Sequence, residues 1–211
     1  MSVAASGPSE PRGRLVLVRH GETEWSKSGQ HTGVTDLALT PDGEEEARRL
    51  RPLLAGWSFA TVVASPLQRS QRTAELAGLG AQLKVDQRLT EWDYGAYEGL
   101  TTAEIRTSLG HDWTVFEDGV VAGETPGESV EAVAARTAAL LADVMPTLQD
   151  HDVALFGHGH CLRVLATVFL RQEPRMGAQL LLDSGSISVL EWERERPAIR
   201  TWNMTARTQT R

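Results

Sequence analysis

The 211-residue chain predicts an α/β protein, a three-layer α/β/α sandwich around a mostly parallel central sheet. Three observations predict it. Leu15-Val16-Leu17-Val18 and Val153-Ala154-Leu155-Phe156 are short all-apolar runs, the pattern of strands buried on both faces. Helix-start signals at Thr40, Ser65, Thr101 and Ser129 stand between such runs. Strands and helices therefore alternate, the order that builds a parallel sheet covered on both sides.

Residues 15–18, followed by Arg19, form the first strand. Thr40 as N-cap, Pro41 at the first helical position, and Asp42 with Glu44 to Glu46 near the positive helix end predict a helix to about Ala55. Residues 61–64 read as a second strand. Ser65-Pro66 opens a helix whose inner face takes Leu67, Thr73, Ala74, Leu76 and Ala77. Residues 82–86 give a third, short strand leading into the loop around Glu91. Thr101 with Glu104 matches a capping box and predicts a helix over 102–109. Residues 110–127 mix glycine, polar and aromatic residues and read as an irregular lid or side-wall. From Ser129 the positions Val130, Val133, Ala134, Thr137, Leu140, Leu141, Val144 and Leu148 keep helical spacing, with Pro146 shortening or kinking the helix. Residues 153–156 are the next strand, followed by the turn Gly157-His158-Gly159-His160 and an apolar helix to about Leu170. Residues 187–192 and 199–202 close the pattern as strands.

Residues 14–211 fit one domain, long enough to bury a substantial core. Residues 1–13 are small, polar and carry Pro and Gly, which reads as a disordered tail without the apolar core of a signal peptide. No segment approaches the ~20 apolar residues of a membrane helix. One cysteine, Cys161, excludes an intrachain disulfide framework, so the expected location is the cytoplasm and no membrane partner is expected. The net charge of −7 without a basic run argues against nucleic acid. Any anionic ligand must meet positive charge gathered at one place. A homodimer is compatible with the sequence but not readable from it.

Two strands end in histidine-and-glycine turns, Arg19-His20-Gly21 and Gly157-His158-Gly159-His160. Ligands of open α/β sheets bind beyond the carboxyl ends of strands, and glycines there let backbone N–H groups approach an anion, assisted by the positive end of the following helix. Arg69 falls in the first turn of a helix, where the dipole disfavours a cation by about 0.3–1 kcal/mol; a bound anion reverses that sign. Glu91 lies among aromatics and glycines, with Asp93 and Glu98 as rival carboxylates. His158 and His160 invite a metal reading, but no Cys or third ligand stands at a zinc-like spacing, so neither metal nor cofactor is expected. Cys161 reads as a small core residue, and His111 and His151 as surface histidines.

Taken in order, Arg19-His20-Gly21-Glu22-Thr23, Ser65-Pro66 with Arg69, Thr73 and Ala74, and Gly157-His158-Gly159 after a strand resemble the histidine phosphatase superfamily, also called phosphoglycerate-mutase-like. The likeness runs from Arg14 to Trp202. Residues 24–33 and 91–95 further resemble the branch with fungal sedoheptulose-bisphosphatase and actinobacterial acid phosphatases. The resemblance implies that His20 is the nucleophile, that Arg19, Arg69 and His158 hold the phosphoryl oxygens, and that Glu91 is the general acid. Ser26, Thr32, Gly33, Gly159 and His160 are expected to contact substrate. The implied partner is a small phosphorylated metabolite, hydrolysed as a phosphomonoester. Cofactor-dependent phosphoglycerate mutase is the alternative, disfavoured by Ser26 where those enzymes carry Asn and by Glu91-Trp92-Asp93 where they carry Glu-Arg. A non-catalytic phospholigand-binding protein is a third reading.

Overall fold

A computed structural model of the chain describes residues 13–206. The tail expected over residues 1–13 lies outside the described residues except for Gly13, whose N–H donates to Leu148 O at 3.1 Å. The strands are β1 (Leu15–Arg19), β2 (Phe59–Ala64), β3 (Leu83–Val85), β4 (Asp152–Gly157), β5 (Ser186–Glu193) and β6 (Arg196–Thr205). The α-helices are α1 (Glu24–Ser28), α2 (Pro41–Leu54), α3 (Gln68–Leu76), α4 (Thr102–Leu109), α5 (Val130–Val144) and α6 (Gly159–Phe169). One sheet runs in the order β3-β2-β4-β1-β5-β6. The pairs β3–β2, β2–β4 and β4–β1 are parallel, and β5 and β6 extend the sheet antiparallel at one edge.

Alternation along the strands makes two cores. Leu15, Leu17, Val153 and Leu155 pack against α5 and α6 on one face. Val16, Val18, Ala154 and Phe156 pack against α2 and α3 on the other. Each such side chain contributes on the order of 1.5–3 kcal/mol on burial, so β1 and β4 are the best-anchored elements. A third cluster joins Trp92, Tyr94, Ile105, Trp113, Val115 and Phe116 to α5 and α6. The irregular segment 110–127 is thus a packed side-wall. Its aromatics are buried, and Trp113 Nε1 donates to Gly119 O.

The helix starts signalled at Thr40, Thr101 and Ser129 fall where caps predict them, whereas the helix signalled at Ser65-Pro66 begins at Gln68 after Leu67, with no side-chain cap. Thr40, Thr101 and Ser129 accept the N–H three residues on. α5 ends at Val144 ahead of Pro146, and Leu148 lies in a separate 3-10 turn. Sequence reasoning missed α1, five residues closed by a capping box between Thr23 and Ser26 and by Gly29 at φ 81°. α3 buries Arg69 and Ser70 as well as Thr73 and Ala74, so its inner face is more polar than expected.

β1 and β4 are neighbours whose following helices pack on opposite faces, which makes their carboxyl ends a topological switch point. There, the turn after β1 meets the first turn of α2 backbone to backbone. A Cβ on Gly21 would stand 2.2 Å from Gly43 O, and one on Gly43 2.1 Å from Glu22 O. Among the described residues no helix is long and apolar enough to cross a membrane.

Candidate active site

His20 follows β1 and His158 follows β4, and the parallel register that pairs Arg19 with Gly157 brings the two imidazoles within 5.1 Å, centroid to centroid. Both are buried. His20 Nδ1 lies 2.7 Å from Gly21 O. A carbonyl only accepts, so Nδ1 carries the proton and Nε2 keeps its lone pair. Burial first, then the guanidiniums of Arg69 and Arg19, hold His20 well below the ordinary histidine range. The imidazole is neutral and its free nitrogen is nucleophilic.

Arg69 is fully buried on α3. It donates from Nε to His158 Nδ1 (3.1 Å), from Nη1 to Thr35 O (2.8 Å), and from Nη2 to Thr32 O and Gly33 O (3.1 and 3.0 Å). His158 Nδ1 is therefore an acceptor, which leaves the Nε2 proton for Ser65 Oγ at 2.7 Å. With both nitrogens engaged, His158 reaches a phosphoryl oxygen only by giving up Ser65 or Arg69. Thr73 Oγ1 accepts the Gly21 N–H and donates to Arg69 O, tying the α3 arginine to the His20 turn. Arg19 donates from Nη1 to Leu182 O. Its Nε is the one buried side-chain nitrogen or oxygen without a partner among the described residues. That N–H suits an anion, since a buried donor left unpaired costs about 1–3 kcal/mol.

Glu91 departs from expectation in its partners. The N–H groups of Trp92 and Cys161 donate to Oε1 (2.9 and 2.8 Å), and that of His160 to Oε2 (3.0 Å). The positive end of α6, expected to face a phosphate, therefore holds a carboxylate of the protein. Gly159 at the start of α6 keeps its N–H unpartnered among the described residues. A Cβ there would stand 3.4 Å from Arg19 Nε and 3.6 Å from Glu91 Oε2. Asp93 is engaged by Thr125 and the N–H groups of Gly95 and Gly127, and Glu98 by those of Gly33 and Thr35. Glu91 alone of the three lines the cleft.

That cleft, about 180 Å³, is bounded by Arg19, His20, Glu91, Gly159, His160 and Arg163 among others. Thr32 also lines it. So does Ser26, although its hydroxyl donates to Thr23 O and accepts the Thr23 N–H, serving the α1 cap. Gly33 is a correction. Its carbonyl serves Arg69 and its N–H serves Glu98, and a Cβ there would meet Trp92 O at 2.4 Å, so it lies behind the cleft wall. His160 turns Nδ1 to the Tyr94 hydroxyl at 2.5 Å while His158 faces Ser65, so the two do not converge on one ion. Cys161 is buried against Arg136, and His111 and His151 are exposed.

Three residues of the site escape sequence reasoning. Arg136 on α5 fixes the acid loop by donating to the carbonyls of Arg88, Thr90 and Glu91 while paired with Glu128. Its signal was available, a charged residue three past Val133 on an apolar stripe. Ser65 and Arg163 are the others.

The buried histidines also set a pH dependence. His20, His158 and His160 are held well below the ordinary value and His31 is lowered to about 4, each chiefly by burial. The unfolded chain takes up protons below about pH 6.5 that the folded chain refuses, so stability is complete above that pH and lost as pH falls toward the folded values. A thermal midpoint several degrees lower near pH 5 than near neutrality is expected. A flat profile would show these rings to be protonated in the fold.

The family model described as "Histidine phosphatase superfamily (branch 1)" matches residues 15–205. An acid phosphatase of Mycobacterium tuberculosis is 38% identical over 182 residues, covering 85% of this chain and 87% of that protein. Sedoheptulose 1,7-bisphosphatase of Saccharomyces cerevisiae is 35% identical, covering 74% and 67%. A 2,3-bisphosphoglycerate-dependent phosphoglycerate mutase of Azorhizobium caulinodans is 38% identical, covering 76% and 82%. The solved structure of an open-reading-frame product of Mycobacterium tuberculosis superposes with a TM-score of 0.86 at 36% identity, covering 92% and 99%.

Proposed function

Because the chain belongs to the histidine phosphatase superfamily, branch 1, and is a hydrolase of phosphomonoesters, we propose that it transfers the phosphoryl group of a small metabolite to His20 Nε2 and then to water. The carrying observation is the His20 Nδ1 contact with Gly21 O, which leaves Nε2 unprotonated beside two guanidiniums.

The Nε2 lone pair attacks phosphorus as the bond to the leaving oxygen breaks. Protonated on Oε2, the oxygen with one N–H partner against two on Oε1, Glu91 delivers that proton to the leaving oxygen and becomes the carboxylate, and the leaving group departs as an alcohol. Water then attacks the phosphohistidine, giving its proton to Glu91, and the P–N bond breaks to return neutral His20 and free phosphate. Charge spreads over the three equatorial oxygens throughout, so positioned cations do most of the work. The unpartnered Arg19 Nε and the Gly159 N–H are the donors nearest to hand, with the Arg69 charge behind His20. His158 holds Arg69 in place and contacts an oxygen after releasing Ser65. A cleft of about 180 Å³ is below the ~300–1,000 Å³ of drug-sized sites, which favours a small ester. The cytosol, where a lone thiol such as Cys161 stays reduced, is the proposed setting.

The test is a phosphate-release screen over sugar phosphates, phosphoglycerates and a chromogenic ester, with rapid quench to trap an acid-labile, alkali-stable phosphoprotein. Release with a trapped intermediate is expected. Interchange of 2- and 3-phosphoglycerate without net release would instead make the chain a mutase, and tight binding without turnover a phospholigand receptor.

A further inference from the structure

Glu91 has to bring one oxygen within hydrogen-bond reach of the leaving group, and a misplacement of about 1 Å at such a group costs on the order of 10²-fold. The main chain that carries it, residues 86–93, belongs to no strand or α-helix. What fixes that segment is Arg136 on α5. Its Nε and Nη2 pair with the two carboxylate oxygens of Glu128 (2.8 and 3.0 Å), Nη1 donates to the carbonyls of Arg88 and Thr90 (both 2.8 Å), and Nη2 donates to that of Glu91 (3.1 Å). All five N–H groups of the guanidinium are thus engaged, and three of the five serve the acid loop rather than the ion pair.

Glu128 carries the hold onward. Its Oε2 also accepts the Asp93 N–H (3.1 Å), its own N–H donates to Asp93 O (2.9 Å), and its carbonyl takes the indole N–H of Trp92 (2.8 Å). The pair therefore grips the chain before, at and after Glu91, yet neither residue lines the cleft. Arg136 Nη1 also lies 3.4 Å from Cys161 Sγ, and the Cys161 N–H donates to Glu91 Oε1. Carbonyl and carboxyl of the acid are referred to one guanidinium. With Oε1 taken by two N–H groups, Oε2 is the oxygen turned to Gly159, 3.6 Å from where a Cβ there would stand.

We propose that Arg136 and Glu128 are positioning residues for the proton transfer of Glu91: they set where Oε2 stands as the leaving oxygen departs, without touching substrate. This rests on the hydrolysis proposed above and deepens it. The rival account is a staple between α5 and residues 86–93 that serves stability alone.

A role in proton transfer shows in the leaving group. Nitrophenolate departs without a proton, a sugar alkoxide needs one, and kcat/KM covers the steps up to that departure. The test compares kcat/KM for p-nitrophenyl phosphate and a sugar monophosphate in the wild type, Glu91→Gln, Arg136→Lys and Glu128→Gln. Glu91→Gln calibrates it, with a loss at least about tenfold larger on the sugar ester. Arg136→Lys keeps a charge beside Glu128, but a compact ammonium cannot span acceptors placed for a planar fork. It should lose about 10–100-fold on the sugar ester and about threefold or less on the nitrophenyl ester. Glu128→Gln should show the same split, several-fold in size. With Glu91→Gln split as expected, equal losses on both esters in Arg136→Lys, or no loss, overturn the proposal; if Arg136→Lys does not fold, Glu128→Gln decides on the same criterion. Failure of the parent reading looks different: no ester is hydrolysed, or Glu91→Gln itself slows both esters equally, and the positioning role falls with it.

Discussion

Alanine in place of His20 is expected to lower kcat for phosphate release by at least ~10³-fold and to remove the trapped phosphoprotein, because it deletes the unprotonated Nε2 held beside the Arg19 and Arg69 guanidiniums. Ser65 is turned to His158, and His158 has both nitrogens bonded. The fold should survive. His20 is a neutral ring pressed against two guanidiniums and makes one side-chain hydrogen bond, to the next residue. Binding of vanadate or phosphate should persist, since Arg19 and Arg69 remain, and that separates lost chemistry from lost structure. A variant that turns over within about tenfold of the wild type would remove His20 from the reaction.

Arg69→Met is expected to damage both activity and stability. The guanidinium satisfies four acceptors in one region, the carbonyls of Thr32, Gly33 and Thr35 and the Nδ1 of His158. Removing it strands them, at a cost of roughly 3–5 kcal/mol, the scale for breaking a buried charged network. The loop that borders the cleft loses its anchor, and kcat should fall by about 10²–10³-fold through the lost positive charge. Arg69→Lys tests the geometry, because a compact ammonium cannot span acceptors placed for a planar fork. It should recover part of the stability and little of the rate. Urea unfolding beside phosphate release makes the measurement; unchanged stability in Arg69→Met would mean that the loop stands without it.

What could be read in advance divides by the range of the interaction. Strands β1, β2 and β4 were legible because both faces are buried and the runs are therefore continuously apolar, and α2, α4 and α5 because their caps lie within three residues of their starts. α1 was not, since five residues carry no periodicity and its capping box has Ser26 at the position where that motif carries Glu or Gln. The burial of 110–127 was hidden because Trp113, Val115 and Phe116 follow no regular spacing. At the site the motif order singled out His20, Arg69 and His158, and the resemblance added Glu91. It said nothing of the groups that orient them. Arg136 lies 45 residues from the Glu91 carbonyl it holds, and Glu98 lies 65 from the Gly33 N–H it receives. Gly33 was misjudged for the same reason. His31 and Thr32 just before it face the cleft, but its own carbonyl and N–H are taken by residues distant in the chain. Arg163 was not singled out in the apolar helix after His160, and only its packing on Phe116 and its bonds to the carbonyls of Gly177 and Ala178 show how it is held beside the cleft.

The bare contact between Gly21 and Gly43 has an evolutionary consequence. Where two main chains touch with no side chain between them, there is no small step for selection to take: a methyl group at either position must push a whole helix aside. Substitution at those two positions therefore requires the turn after β1 and the start of α2 to separate. Novelty among descendants of such a scaffold then has to accumulate on the opposite bank, around His31, Trp113 and His160, where replacing one side chain alters which molecules fit and leaves the machinery beneath them intact.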